Sequence, residues 1–72
     1  MEYKLITEIL KLSVAVAWEE ARREWELFHV YEKYESDPDY CLCGHPILEI
    51  CVLRNKRNRN TAVVGNVCVR KF

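Results

Sequence analysis

The sequence predicts an α+β fold: an N-terminal helical segment followed by a small β-hairpin whose base is gathered by cysteines. Three observations carry that prediction. Neither glycine nor proline occurs before Pro38, and apolar residues recur at helical spacing through the first third of the chain. Two β-rich runs, residues 47–53 and 61–64, flank a polar stretch of arginine, lysine and asparagine. Cys41, Cys43 and His45 precede the first run, and Cys68 follows the second.

The helical reading rests on Tyr3, Ile6, Leu10, Val14, Ala17, Trp18, Ala21, Trp25 and Phe28, which keep one face of a helix. Ser13 has N-cap chemistry and would divide the stretch into two helices. Leu5, Ile9, Leu12 and Val16 widen the apolar stripe beyond the need of one small core, so they either pack on the hairpin unit or offer a contact surface. From Glu26 the pattern suits helix or strand; the expectation is a helix to Trp25 or Leu27, then a strand to about Tyr34. His29, inside this apolar run, is expected as a half-buried packing residue. Residues 35–39 (ESDPD) are turn chemistry leading to the first cysteines. After Pro46, residues 47–53 (ILEICVL) read as a strand, and residues 54–60 (RNKRNRN) as a hairpin tip in which asparagine accepts left-handed conformations. Residues 61–64 return, Gly65 and Asn66 break the strand, and residues 67–72 form a short helix or turn. The expected organisation is an acidic helical part with strand and loop over residues 1–40, and the hairpin unit over residues 41–72.

Composition narrows the class. Half of the 72 residues are hydrophobic, which excludes a disordered chain. No run of about 20 apolar residues is present to span a membrane. Residues 12–18 (LSVAVAW) are apolar but short, and Glu2 and Glu8 accompany Lys4 and Lys11, unlike a signal peptide. A cytoplasmic protein is therefore expected. The net charge of zero hides a division: residues 1–40 carry five basic and ten acidic side chains, residues 41–72 six basic and one acidic. Two opposite halves imply separate partners or mutual attraction.

In a reducing compartment, clustered cysteines are more often metal ligands than disulfides. Zinc takes four ligands, commonly thiolates and imidazoles, in a tetrahedron. Cys41, Cys43 and Gly44 form a tight turn presenting two sulfurs, and hairpin pairing about residues 55–61 returns Cys68 to the same end. His45 adjoins these sulfurs and is the favoured fourth ligand for Zn2+. Cys51, expected opposite Gly65, competes with it, although about 3.3 Å of rise per residue sets it well up the strand. So small a chain buries little surface, and a structural metal is a common remedy.

The pattern C-x-C-G at residues 41–44, with Ile47, Asn55 and V-G-x-x-C-V-x-x-F at residues 64–72, resembles a small zinc-finger-like module of phage and bacterial mobile-element proteins. The segment of residues 18–27 (WEEARREWEL) resembles the helix before the knuckle in such modules. The resemblance covers residues 18–72. It implies a treble-clef-like unit with metal at Cys41, Cys43 and Cys68. A standard treble clef takes two ligands from its helix start, whereas here Cys68 is the one cysteine there, so the fourth position stays open.

Two functional classes follow. Arg54, Lys56, Arg57 and Arg59 alternate with Asn55, Asn58 and Asn60, a composition suited to the phosphates and base edges of DNA or RNA. Alternatively, the acidic, apolar N-terminal helix docks on a protein partner and the zinc is purely structural. Self-association through the same stripe is a third outcome. An enzyme is not expected: a catalytic zinc keeps an open position and a nearby base, and Glu49 is the one carboxylate near the knuckle in sequence.

Overall fold

The computed structural model describes residues 2–72, with side chains from Lys4 onward, so Tyr3 of the helical stripe lies outside the described side chains. Helix α1 (Glu2–Leu12) leads to a one-turn helix α2 (Trp18–Ala21) and a 3-10 turn (Arg22–Glu24). Five strands follow: β1 (Trp25–Glu32), β2 (Asp39–Tyr40), β3 (Pro46–Ile47), β4 (Glu49–Asn55) and β5 (Thr61–Gly65), and a second 3-10 turn (Cys68–Lys71) ends the series. An antiparallel sheet of order β1-β4-β5 is accompanied by a two-stranded ribbon of β2 and β3. The α+β class stands, with an N-terminal helix and an antiparallel sheet.

The long helix of the sequence reading does not form. It stops at Leu12, and residues 13–17 run without helical structure before α2. Ser13 does mark the division, but it closes α1 instead of opening α2. Its hydroxyl donates to the Ile9 carbonyl at 2.6 Å and accepts the Trp25 indole N–H at 2.9 Å. The buried Glu24 carboxylate draws in the Val14 and Ala15 N–H groups at 2.8 and 2.7 Å. Those N–H groups are thereby held by a side chain in place of helical carbonyls, and β-branched Val14 and Val16 have little intrinsic reason to resist. The extended segment begins at Trp25, where the helix was expected still to run, and ends at Glu32, short of the expected Tyr34.

Sheet register sorts the side chains into two faces. Trp25 lies opposite Asn55, Leu27 opposite Leu53, and Val30 opposite Cys51. Cys51 in turn faces Val64, and Leu53 faces Ala62. Leu5 and Ile9 of α1 pack on this face; they are fully buried, so each contributes roughly 1.5–3 kcal/mol of transfer free energy. The apolar stripe of α1 is thus largely consumed by the protein's own core, while Val16 is 91% exposed. The other face carries Glu26, Phe28, His29 and Tyr31 of β1 beside Val52 and Arg54 of β4. Phe28 is the extra residue of a bulge between Leu27 and His29. His29 is exposed, stacked on Tyr31 at 5.9 Å, and not half-buried.

The expected strand over residues 47–53 is split. Pro46 and Ile47 pair with Tyr40 and Asp39, and the main strand begins at Glu49. This split lets the chain turn from the ribbon into the sheet. Ile47 sits over Gly65, where an added Cβ would approach its Cγ2 to 2.8 Å. The Leu42 N–H donates to the Val63 carbonyl at 3.1 Å, which ties the segment between the cysteines to the outer border of β5. Among the described residues, no helix is long and apolar enough to cross a membrane.

Candidate metal centre and hairpin tip

The knuckle is built by its backbone. The Gly44 N–H donates to the Cys41 carbonyl at 2.8 Å, and the Cys41 N–H donates to the His45 carbonyl at 2.9 Å. Closing this loop requires φ of +99° at Gly44, where a side chain would be strained and would meet Lys4 Nζ at 3.3 Å. The turn presents the Cys41 and Cys43 sulfurs inward. From the far end of β5, Gly65 and Asn66 lead into the 3-10 turn that opens with Cys68.

The sulfurs of Cys41, Cys43 and Cys68 lie within 4.8 Å of one another, with Cys41 and Cys43 buried and Cys68 half-buried. All four cysteines are free thiols. The electrostatics of the cluster are those of thiols competing for charge. Burial pushes the Cys43 thiol up, but hydrogen bonds from the His45 backbone and from Cys41 and Cys68 outweigh it and hold Cys43 below its usual value. Cys68 is pushed up to about 12 by burial, by hydrogen bonds with Cys41 and Cys43, and by their charge. Three cysteine sulfurs this close can hold a metal ion, and a soft divalent ion suits a sulfur donor set. A possible metal-binding cluster is therefore present, and the identity of the ion is open.

His45 and Cys51 stand differently toward this cluster. His45 is exposed and lines the same cavity as Cys41, Cys43 and Cys68, but its ring nitrogens lie outside the group of three sulfurs. Cys51 faces Val64, one residue away from the expected Gly65, so it points into the apolar core. Burial, then Glu49 and Cys41, raises its thiol.

At the other end of the hairpin, the four basic residues have unequal fates. Arg54 bonds Glu26 at 3.2 Å and lies over the Phe28 ring at 4.4 Å. Arg57 approaches Glu24 at 4.0 Å. Lys56 and Arg59 are exposed and make no ion pair among the described residues, and with Arg54 and Glu26 they line a shallow notch. The asparagines are held internally. Asn55 is fully buried; its oxygen accepts the N–H groups of Arg57 and Asn58, and its amide donates to Glu24 at 2.9 Å. Asn58 and Asn60 both donate to the Leu12 carbonyl, satisfying the C-terminus of α1.

This clasp of Ser13, Glu24, Asn55, Asn58 and Asn60 was not legible as a site in sequence. Glu24 reads as one more acid on a helix, and the asparagines read as exposed turn formers. Its only signal was the break that Ser13 suggested.

Fold and geometry together define a small α+β module with a three-cysteine cluster bridging the two ends of a β-hairpin. Compared with protein-family models, curated proteins and solved structures, the chain matches none.

Proposed function

We propose that this chain is a non-catalytic, zinc-stabilised module that contacts nucleic acid through its hairpin tip. One observation carries the reading: sulfurs from Cys41, Cys43 and Cys68 converge to 4.8 Å across the base of the hairpin. Zinc is the preferred ion because its structural sites favour thiolates with tetrahedral closure. His45 is the fourth ligand in this proposal, since it opens on the same cavity while Cys51 is committed to the core. A four-ligand site leaves no position for substrate, which supports structure over catalysis. The C-x-C-G and V-G-x-x-C-V-x-x-F patterns support a treble-clef-like module of the mobile-element type. Free thiols suit a reducing, cytoplasmic setting.

Native mass spectrometry of the zinc-loaded chain tests the centre. One zinc per wild-type chain and none in Cys68→Ser is the expected result, with His45→Ala weakened and Cys51→Ala unchanged. Loss of zinc in Cys51→Ala with retention in His45→Ala would exchange the fourth ligand. No zinc in any form would overturn the centre itself. Structural zinc supplies about 10–16 kcal/mol apparent in finger peptides, so chelation should abolish the β signal of the circular-dichroism spectrum.

Nucleic-acid contact rests on Arg54, Lys56, Arg57 and Arg59, of which Lys56 and Arg59 make no ion pair among the described residues. Binding to DNA or RNA at low salt, falling steeply as salt rises, is the expected signature. No shift of either polymer by the metal-loaded protein would remove this part of the proposal.

A further inference from the structure

The face of the sheet turned away from α1 carries aromatic rings beside the cationic notch; its end at Ile50 and Gly65 is buried, with Ile47 over Gly65, while Phe28 and His29 stay exposed. Phe28 is 55% exposed, raised on its bulge, with the Arg54 guanidinium over its ring. His29 is exposed and stacked on Tyr31 with an interplanar angle of 29°. Val52 and Val63, half-buried, floor the same face. Immediately beyond Phe28 lie Arg54, Lys56 and Arg59, with Glu26 the one carboxylate among them.

The sign of the charge changes sharply along this face. Glu32 and Glu49, directly opposite one another, belong by register to the other side of the sheet. Asp39 accepts the Tyr31 hydroxyl at 2.7 Å and stands with Asp37 near Lys33, which closes the aromatic strip at its far end. The strip is therefore cationic at the tip and acidic beyond Tyr31.

We propose that this face takes a single-stranded nucleic acid, with unpaired bases stacking on Phe28 and His29 and phosphates meeting Arg54, Lys56 and Arg59. The inference rests on the nucleic-acid reading above and names its target class. Bases in a duplex are stacked on one another and leave no ring surface for an aromatic side chain, whereas single strands offer it at every base. Four strand residues from Phe28 to Tyr31 span roughly 10 Å, room for about two bases. A purely apolar partner would leave the unpaired Lys56 and Arg59 facing it, so the charge favours a polyanion.

The test is a fluorescence-anisotropy titration of the full, zinc-loaded chain with labelled oligothymidylate and oligouridylate and with a duplex of equal length. The single strands should bind at least about tenfold tighter than the duplex. Phe28→Leu keeps an apolar side chain but removes the ring, and should weaken single-strand binding by about 5- to 100-fold without changing the salt slope. Lys56→Ala and Arg59→Ala should each reduce that slope by about 0.7. Equal affinity for duplex and single strand, or no effect of Phe28→Leu in a variant whose melting temperature is unchanged, overturns this inference and leaves the tip reading standing. No binding of any nucleic acid overturns both. A Phe28→Leu variant altered in sedimentation but not in affinity would assign the face to a second copy of the chain instead.

Discussion

Replacing Glu24 by glutamine should destabilise the protein by about 3 kcal/mol while changing its shape very little. In the native chain one carboxylate oxygen accepts the Val14 N–H and the Asn55 amide, and the other accepts the Ala15 N–H. Glutamine keeps one oxygen and sets an NH2 where the second stood. If the oxygen serves Val14 and Asn55, the amide faces the Ala15 N–H, donor against donor. A hydrogen bond to a charged group contributes about 1.5–3 kcal/mol, and a buried unsatisfied donor costs about 1–3 kcal/mol. The sum, tempered by local relaxation, is about 2–4 kcal/mol. For a domain of this size each kcal/mol moves the midpoint by about 4–8 °C, so Tm should fall by roughly 10–25 °C.

Thermal melts followed by circular dichroism at neutral pH measure this directly. The pH dependence supplies a second reading. Burial alone would raise the Glu24 pKa, but the Asn55 amide, the Val14 and Ala15 N–H groups and Arg57 outweigh it, holding it below the usual carboxylate range. A depressed native pKa means the stabilisation is fully present above the unfolded value and is lost as pH falls through the folded one. The Tm gap between wild type and Glu24→Gln should therefore be constant above about pH 4.5 and shrink below it. A variant melting within about 2 °C of wild type would refute the reasoning, because among the described residues no other carboxylate accepts two backbone N–H groups.

The remaining expectations concern packing. Ile9→Ala removes a fully buried side chain and should cost about 2–5 kcal/mol in urea denaturation, whereas Val16→Asp, at a position 91% exposed, should stay within about 0.5 kcal/mol. Gly65→Ala drives a methyl to 2.8 Å from Ile47 and should cost about 1–3 kcal/mol, and adding Ile47→Ala should recover part of that loss in a double-mutant cycle. Gly44→Ala should destabilise by about 1–2 kcal/mol through its left-handed backbone, again read from denaturation midpoints.

How far the sequence could be read depended on whether the decisive interaction was local. The knuckle, the hairpin about residues 55–61 and the closing turn are specified within a few residues by glycine, proline and β-branched runs, and they stand where expected. The gathering of Cys41, Cys43 and Cys68 followed from hairpin pairing alone. The helix through residues 13–17 failed because its competitor is distant: Glu24 lies nine and ten residues beyond the Ala15 and Val14 N–H groups it holds, and is itself positioned by Asn55. Cys51 pairs with Val64 in place of Gly65, a shift of one residue that changes its cross-strand partner and leaves it in the apolar core. The exposed strip of β1 was hidden because Phe28 and His29 look like core residues in any pattern that ignores a bulge.

Asn55 has a consequence for the order in which the chain assembles. Its oxygen shapes a turn only a few residues long, a closure whose entropy cost is small, while its nitrogen waits for Glu24, which lies 31 residues earlier. The ribbon of β4 and β5 can therefore nucleate alone, and the N-terminal helix locks on afterwards, when Leu12 reaches Asn58 and Asn60. Asn55→Asp separates the two halves of that work, keeping the acceptor for the turn and setting a second carboxylate against the first. In stopped-flow experiments its refolding rate should barely change while its unfolding rate rises, the kinetic mark of a fastener that engages last.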